Sequence, residues 1–74
     1  MIVSFIRDGH VLIKLDTDVI PTRGEHILLP PIQNSLARIK RQTFLVDKVI
    51  HNYRILKEEN NLVICTTAVY VVDQ

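Results

Sequence analysis

The sequence contains few of the residues that cross-link small folds or form catalytic sites. Cys65 is the single cysteine, so no disulfide can form within the chain. A lone thiol fits a reduced, intracellular compartment. There is no tryptophan, and only two tyrosines and two phenylalanines are present. The apolar residues that must form a core are therefore mostly aliphatic.

Neither positive nor negative charge is in clear excess, since the formal net charge is +1 and the pI is near 7.9. A nucleic-acid-binding domain usually shows a clear basic excess, which this chain does not have. The apolar run that begins at Ile2 has no basic region before it and stops at Arg7, which argues against a signal peptide. The longest charge-free run, Asn60–Val72, is too short for a transmembrane helix. We therefore expect a cytoplasmic protein without a membrane partner.

Catalytic and metal-binding patterns are not found. His10, His26 and His51 are widely spaced, and a zinc site would require them to converge from different strands. Cys65 stands in an apolar run without a basic neighbour, so we expect a buried and inert thiol. Asp16-Thr17-Asp18 is a typical turn sequence and offers too few oxygens for a calcium cage. The sequence predicts no catalytic residue, no metal and no cofactor, and hence no enzyme.

The small size of the chain favours self-association. A chain of 74 residues forms one domain, 1–74, and buries only roughly 60% of the surface that its unfolded form exposes. Domains of this size often need a disulfide, a metal or a second subunit. Because 47% of the residues are apolar and the first two supplements are excluded, we expect a homo-oligomer.

The N-terminal residues predict a β-hairpin. Two apolar runs, Ile2–Ile6 and Val11–Leu15, flank Asp8-Gly9, a pair that is typical of a type I′ turn. A two-residue turn sets the pairing of the strands. The predicted pairs are Ile6 with Val11, Ser4 with Ile13 and Ile2 with Leu15, and we expect this row to face the core.

The C-terminal half predicts a longer hairpin, with strands Thr43–Lys57 and Leu62–Val72 joined by a polar turn at 58–61. The apolar positions change parity in the first strand, which a β-bulge at Asp47-Lys48 would correct. Both faces of the last strand are largely apolar. We expect the core to cover one face and a second subunit to cover the other.

The middle of the chain predicts a turn, a short strand and a loop. Pro21-Thr22-Arg23-Gly24 reads as a turn with a left-handed Gly24, and the strand Ile27–Leu29 ends at Pro30-Pro31. Residues 31–42 contain apolar residues at helical spacing over one or two turns, which is too short for a stable isolated helix. The segment is predicted as a loop with at most one helical turn. An extended arm and a loop that orders against a partner are the alternatives.

Two sequence patterns in this chain resemble those of a known class of small proteins. Pro21, Gly24, Glu25, Ile27 and Leu29 follow Pro-x-x-Gly-Glu-x-Ile-x-Leu, and Phe44, Val46, Val49 and His51 follow Phe-x-Val-x-x-Val-x-His. Over roughly residues 20–72 the chain resembles small SH3-like barrels, and more narrowly short, largely uncharacterised proteins of bacteria and their phages. The resemblance implies a central strand after the first pattern and a bulged strand at the second, and it implies no activity. Residues 31–42 are longer than the loop that such barrels place there.

Together these features predict an all-β fold. We expect a small five-stranded SH3-like barrel or bent antiparallel sheet, with the loop or one-turn helix at about 31–42.

Basic residues supply the one candidate ligand site. Arginine binds phosphate bidentately, and a tyrosine can stack on a base. A solvated rim that keeps the surface soluble is the simpler interpretation. The candidate ligand-binding residues are Arg23, Arg38, Lys40, Arg41, Tyr53 and Arg54.

The functional hypothesis is a non-enzymatic binding module that acts as a homo-oligomer. It would bind or sequester a small anionic, nucleotide-like ligand, or block a protein partner, as the resemblance to short phage proteins implies. A nucleic-acid-binding barrel and a structural subunit of a larger assembly are the alternatives, and they differ in salt dependence and in open or closed association.

Overall fold

The computed structural model describes residues 1–33, 38–40 and 42–74, and it is all-β. One five-stranded sheet, in the order β2-β1-β7-β6-β3, curls into a half-barrel, and β4 and β5 form a separate small ladder. The all-β prediction is confirmed. The strands are β1 (Ile2–Arg7), β2 (His10–Asp16), β3 (His26–Leu29), β4 (Ile32–Gln33), β5 (Arg38–Ile39), β6 (Gln42–Leu56) and β7 (Leu62–Asp73).

The main sheet is mixed, which differs from the expected antiparallel sheet. β1 runs parallel to β7, with Val3 beside Thr67 and Ile6 beside Tyr70, while the other neighbouring strands are antiparallel. The parallel pair joins strands from the two ends of the chain. No short turn connects these strands, so the sequence contains no local signal that predicts the pairing. This pairing brings the N-terminal hairpin alongside the long C-terminal hairpin.

The N-terminal hairpin has the predicted turn but a different register. Asp8 and Gly9 have positive φ values of 50° and 79°, and Ile6 pairs with Val11 as predicted. Leu12 is then an extra residue in β2, because the ladder shifts between Phe5 and Ile6. A bulge of this kind turns the rest of the strand over.

The predicted core row of this hairpin is therefore wrong. Val3, Phe5 and Leu12 are buried, whereas Ile2 is 45% exposed. The pairs Ser4 with Ile13 and Ile2 with Leu15 are replaced by Ser4 with Lys14 and Ile2 with Asp16. We call the face that carries Val3 and Phe5 the inner face of the sheet, and the opposite face the outer face.

The core lies against the inner face and consists of aliphatic residues and both phenylalanines. Phe44 is its largest fully buried side chain, and Thr67 is the buried polar residue of the described core. The Thr67 hydroxyl lies 3.0 Å from Nδ1 of His51, so its polar atom is not left unpaired. The buried apolar residues are Val3, Phe5, Leu12, Leu29, Ile32, Phe44, Val46, Val69 and Val71.

The bulge predicted in β6 is confirmed. The ladder with β7 passes from Val46 opposite Val71 to Lys48 opposite Tyr70, which leaves Asp47 as the extra residue. Phe44, Val46 and Val49 consequently share the inner face and contact the core. Without the bulge, Val49 would point to the outer face, since successive strand residues alternate.

The turn between β6 and β7 also agrees with the sequence. A single 3₁₀ turn, Lys57–Glu59, ends in Asn60 and Asn61, whose φ values are 56° and 60°. Asparagine tolerates this left-handed conformation better than most residues. The turn of the middle segment is likewise formed, with Gly24 at φ 90°, and β3 ends before Pro30-Pro31 as predicted.

The helical turn expected at about 31–42 falls partly on residues 34–37 and 41, which lie outside the described residues. The described flanks form the short strands β4 and β5, whose backbones pair Ile32 with Ile39 and Gln33 with Arg38. Ile32 closes one end of the core. In the described part of the chain, no helix is long and apolar enough to cross a membrane.

The core assignment predicts a large effect of Phe44→Ala. Phe44 is 0% exposed, and emptying such a site costs about 3–5 kcal/mol. In a domain this small we expect that loss to leave the chain largely unfolded at 25 °C. Leu28→Ala, on the outer face at 53% exposure, is the control and should change the free energy of unfolding by less than about 1 kcal/mol. Urea denaturation followed by circular dichroism compares the two, and equal effects would contradict the assignment.

Candidate functional site

A hydrogen-bonded turn forms one wall of a groove that carries basic groups. The amide of Glu25 donates to the carbonyl of Thr22 at 3.1 Å. The hydroxyl and the amide of Thr22 both donate to the Glu25 carboxylate at 2.6 Å. These two hydrogen bonds hold the pKa of the Glu25 carboxyl below its ordinary value, and the bond from the Thr22 hydroxyl has the larger effect. The lowered pKa keeps this carboxylate anionic, held within its own turn two residues from Arg23.

The same turn is fixed to β6 just before the bulge. The amide of Gly24 donates to the carbonyl of Val46, and the amide of Val46 donates to the carbonyl of Glu25, both at 2.9 Å. Beyond Val46 the two segments separate and leave a groove between them. The turn therefore sets the position of Arg23 relative to β6.

This groove has a volume of about 430 Å³ and combines an apolar floor with basic groups. Arg23 comes from the turn, while Lys48 and His51 come from β6 just after the bulge. None of the residues that line the groove is acidic. The groove can accept an anionic group, and we call it the basic groove. Its lining residues are Ile20, Pro21, Thr22, Arg23, Lys48, Val49 and His51.

The structure separates the predicted ligand-binding residues of the central region. Arg23 lines the basic groove. Tyr53 lies further along β6 on the same face as His51, and it is 67% exposed. Arg54 is the next residue and points to the outer face. Of these predicted residues, Arg23 lines the basic groove, whereas Tyr53 and Arg54 are not in its lining and lie on opposite faces of β6.

The basic residues of the 38–41 segment lie at the other end of β6. Arg38 is in β5, Lys40 is exposed just before β6 begins at Gln42, and Arg41 lies outside the described residues. At about 3.3 Å per residue, the strand from Gln42 to Tyr53 is roughly 35 Å long. Lys40 is not among the residues that line the basic groove.

Sequence reasoning missed Lys48 and assigned His51 only a structural position. His51 is exposed, and its Nδ1 lies 3.0 Å from the hydroxyl of Thr67. The Lys48 ammonium lies 4.7 Å from the centre of the Tyr70 ring, a cation–π contact on the outer side. The available signal was the bulge, which places Lys48 opposite Tyr70 on the outer face and His51 opposite Thr67 on the inner face.

A second feature is the end of the long hairpin, which extends beyond the strands that flank it. β3 pairs with β6 only up to Leu45, and β1 pairs with β7 only from Thr67 onward. Residues 50–66 therefore have no flanking strand among the described residues. We call this part the projecting hairpin. Its large exposed apolar side chains are Ile50, Tyr53, Ile55, Leu62 and Val63.

The projecting hairpin exposes apolar residues on both faces. Tyr53 opposes Cys65, and Ile55 opposes Val63, on the inner face. Leu62 opposes Leu56 on the outer face. Tyr53 and Ile55 were predicted to share a face with Val49, which is confirmed, but at 67% and 61% exposure they lie beyond the core. The curled sheet does not reach far enough to cover them.

In the described part of the chain, no three histidine, cysteine or acidic side chains converge as metal ligands would. Cys65 is half-buried rather than buried. Its sulfur lies 3.8 Å from the carbonyl of Thr66 and 4.0 Å from the hydroxyl of Thr67.

Comparison with models of protein families, with curated proteins and with solved structures finds no match to this chain.

Proposed function

We propose that the protein is a non-enzymatic binding module that acts as a homo-oligomer and uses the projecting hairpin as its contact surface. The observation that supports this proposal is the exposure of Tyr53, Ile55 and Val63 along one face of a hairpin that no other described strand flanks. A contiguous apolar patch on a small chain marks an interaction surface.

The energetics favour covering this surface. Burying one exposed valine, isoleucine or leucine completely stabilises by roughly 1.5–3 kcal/mol. The stability of a whole domain is only about 5–15 kcal/mol, and a short chain has a small core. A partner that covers several of these side chains would therefore contribute stability comparable to that of the isolated domain.

The hairpin proposal predicts that Tyr53→Ser combined with Ile55→Ser converts the oligomer into a monomer. Both side chains are exposed in the single chain, so the variant should keep its fold while it loses the apolar contact. Native mass measured by light scattering over a range of concentrations tests this. Leu28→Ser, which removes an exposed leucine from β3, should leave the mass unchanged. A wild-type protein that stays at 8.5 kDa at all concentrations would refute the proposal.

A small anionic ligand is a second candidate, favoured by the basic groove. Arg23, Lys48 and His51 line a space of about 430 Å³ whose lining contains no acidic residue, and Ile20, Pro21 and Val49 provide an apolar floor. Ligand sites combine such a floor with a few polar groups that fix orientation. A phosphate next to a planar group, as in a nucleotide, has the matching chemistry.

This candidate predicts that a nucleoside triphosphate raises the melting temperature of the wild-type protein, since a ligand of the folded state stabilises it. Arg23→Ser should abolish the shift because it removes the cation of the turn. Arg54→Ser, which removes an arginine from the outer face, should leave the shift intact. Equal losses in both variants would show a nonspecific charge effect, and the absence of any wild-type shift would reject the ligand.

A further inference from the structure

The projecting hairpin leaves one long strand edge unpaired. From Ile50 to Leu56, β6 pairs with β7 on one side, and no described residue pairs with its other side. An open edge presents backbone amides and carbonyls that are ready to pair with another strand. This stretch contains no proline and no bulge to prevent such pairing.

The edges of β2 and β3 carry more protection than the β6 edge, whose one charged residue is Arg54, while the unpaired edge of β7 spans only Leu62–Thr66. β2 is interrupted by the bulge at Leu12 and carries Lys14 and Asp16. β3 is four residues long and ends at Pro30-Pro31. Bulges, charges, short length and proline are the usual devices that keep an edge from pairing. The contrast indicates that the β6 edge is covered in the working protein.

The fold also limits where a partner strand can lie. Backbone hydrogen bonds tie the turn to β6 at Val46, and beyond Val46 the basic groove separates the segment 20–23 from β6. The part of the strand that is free to pair therefore begins at about Ile50 and ends at Leu56, where the 3₁₀ turn starts. The midpoint of this stretch is Tyr53.

We infer that two copies of the chain pair along this edge, antiparallel about a two-fold axis, with Tyr53 opposite Tyr53 of the partner subunit. The inference rests on the proposed homo-oligomer and specifies its contact. Antiparallel pairing of a strand with its own copy closes on itself, so it yields a dimer and not a fibre. The two half-barrel sheets then form one continuous sheet.

The side chains suit this register. On the inner face, Tyr53 contacts its own copy, and His51 lies opposite Ile55 of the partner subunit. On the outer face, Ile50 lies opposite Leu56 of the partner subunit, and Asn52 opposite Arg54 of the partner subunit. Aromatic and aliphatic cross-strand pairs stabilise a sheet, and no like charges stand directly opposite each other. A slip by one residue would bring inner positions opposite outer positions.

Charge complementarity at both ends of the edge favours a second copy over an unrelated strand. The 3₁₀ turn that follows Leu56 carries Glu58 and Glu59. In this register it approaches the basic groove of the other copy, where Arg23 and Lys48 form no ion pair with a described residue. The two-fold axis repeats the contact, so each groove receives the acidic turn of the partner. This contact also assigns the groove an occupant other than a small anion.

Cysteine cross-linking in a Cys65→Ser background tests the register. The background is needed because Cys65 lies opposite Tyr53 within the same chain and would capture a thiol placed there. Directly opposed antiparallel residues have Cα atoms about 4.5–5.5 Å apart, which a disulfide can span. Tyr53→Cys should therefore form a covalent dimer under mild oxidation, seen on a non-reducing gel.

Ile55→Cys in the same background is the matched control. In this register its two copies lie about 13 Å apart or more along the strands, too far for a disulfide, so it should remain uncross-linked. A mixture of the Ile55→Cys and His51→Cys proteins should cross-link, since these positions oppose each other. Circular dichroism of each variant confirms that the fold is kept.

The outcomes separate the two proposals. A native dimer in which Tyr53→Cys does not cross-link, or in which Ile55→Cys cross-links as fully, overturns the edge pairing and leaves the homo-oligomer in place. A protein that is monomeric by native mass overturns both. A dimer with the expected cross-linking pattern supports both.

Discussion

The unequal length of neighbouring strands is the constraint on which the rest of this structure depends. β6 has 15 residues and β7 has 12, whereas β1 has 6 and β3 has 4. A sheet buries apolar residues only where the strands beside it allow it to curl. The short strands flank the part of the long hairpin that packs against the core. They leave the projecting hairpin without lateral neighbours among the described residues. Core, groove and exposed edge all follow from this difference.

The bulge at Asp47 marks the boundary between these two parts. Below it, Phe44 and Val46 belong to the core, and the turn at Gly24 is bonded to the strand. After the bulge, from Lys48 onward, the Gly24 turn and β6 diverge, and the basic groove opens between them. The bulge also keeps Tyr53 and Ile55 on the inner face, so that the apolar row of the core continues onto the exposed part of the hairpin. An interface built there extends the core and does not need a separate surface.

Local features of the fold could be predicted from the sequence, because local chemistry determines them. Asp8-Gly9 and Asn60-Asn61 adopt positive φ values that few other residues accept. The change of apolar parity around Asp47 reveals its bulge. The bulge at Leu12 gave no such signal, since both faces of the N-terminal hairpin are apolar and either register is consistent with the pattern. The parallel pairing of β1 with β7 joins residues that are distant in sequence, and no turn residue encodes it.

The candidate site was harder to predict because residues that cluster in the sequence need not cluster in space. Lys40 stands at the start of a long strand, whereas Tyr53 lies near its far end. Adjacent residues of a strand point to opposite faces, which separates Arg54 from Tyr53. The groove instead combines Arg23 with Lys48, which are 25 positions apart in the chain. Only the pairing of the Gly24 turn with Val46 brings them together.

Amide hydrogen exchange along β6 tests the central claim, that a second copy covers the free edge from Ile50 to Leu56. Alternate amides of this stretch point away from β7 and have no partner in the single chain. The account predicts that these amides exchange slowly at high protein concentration and rapidly after dilution, while those of Val69 and Val71 stay protected throughout. Rapid exchange of the same amides at every concentration, in a protein that remains folded, would contradict it.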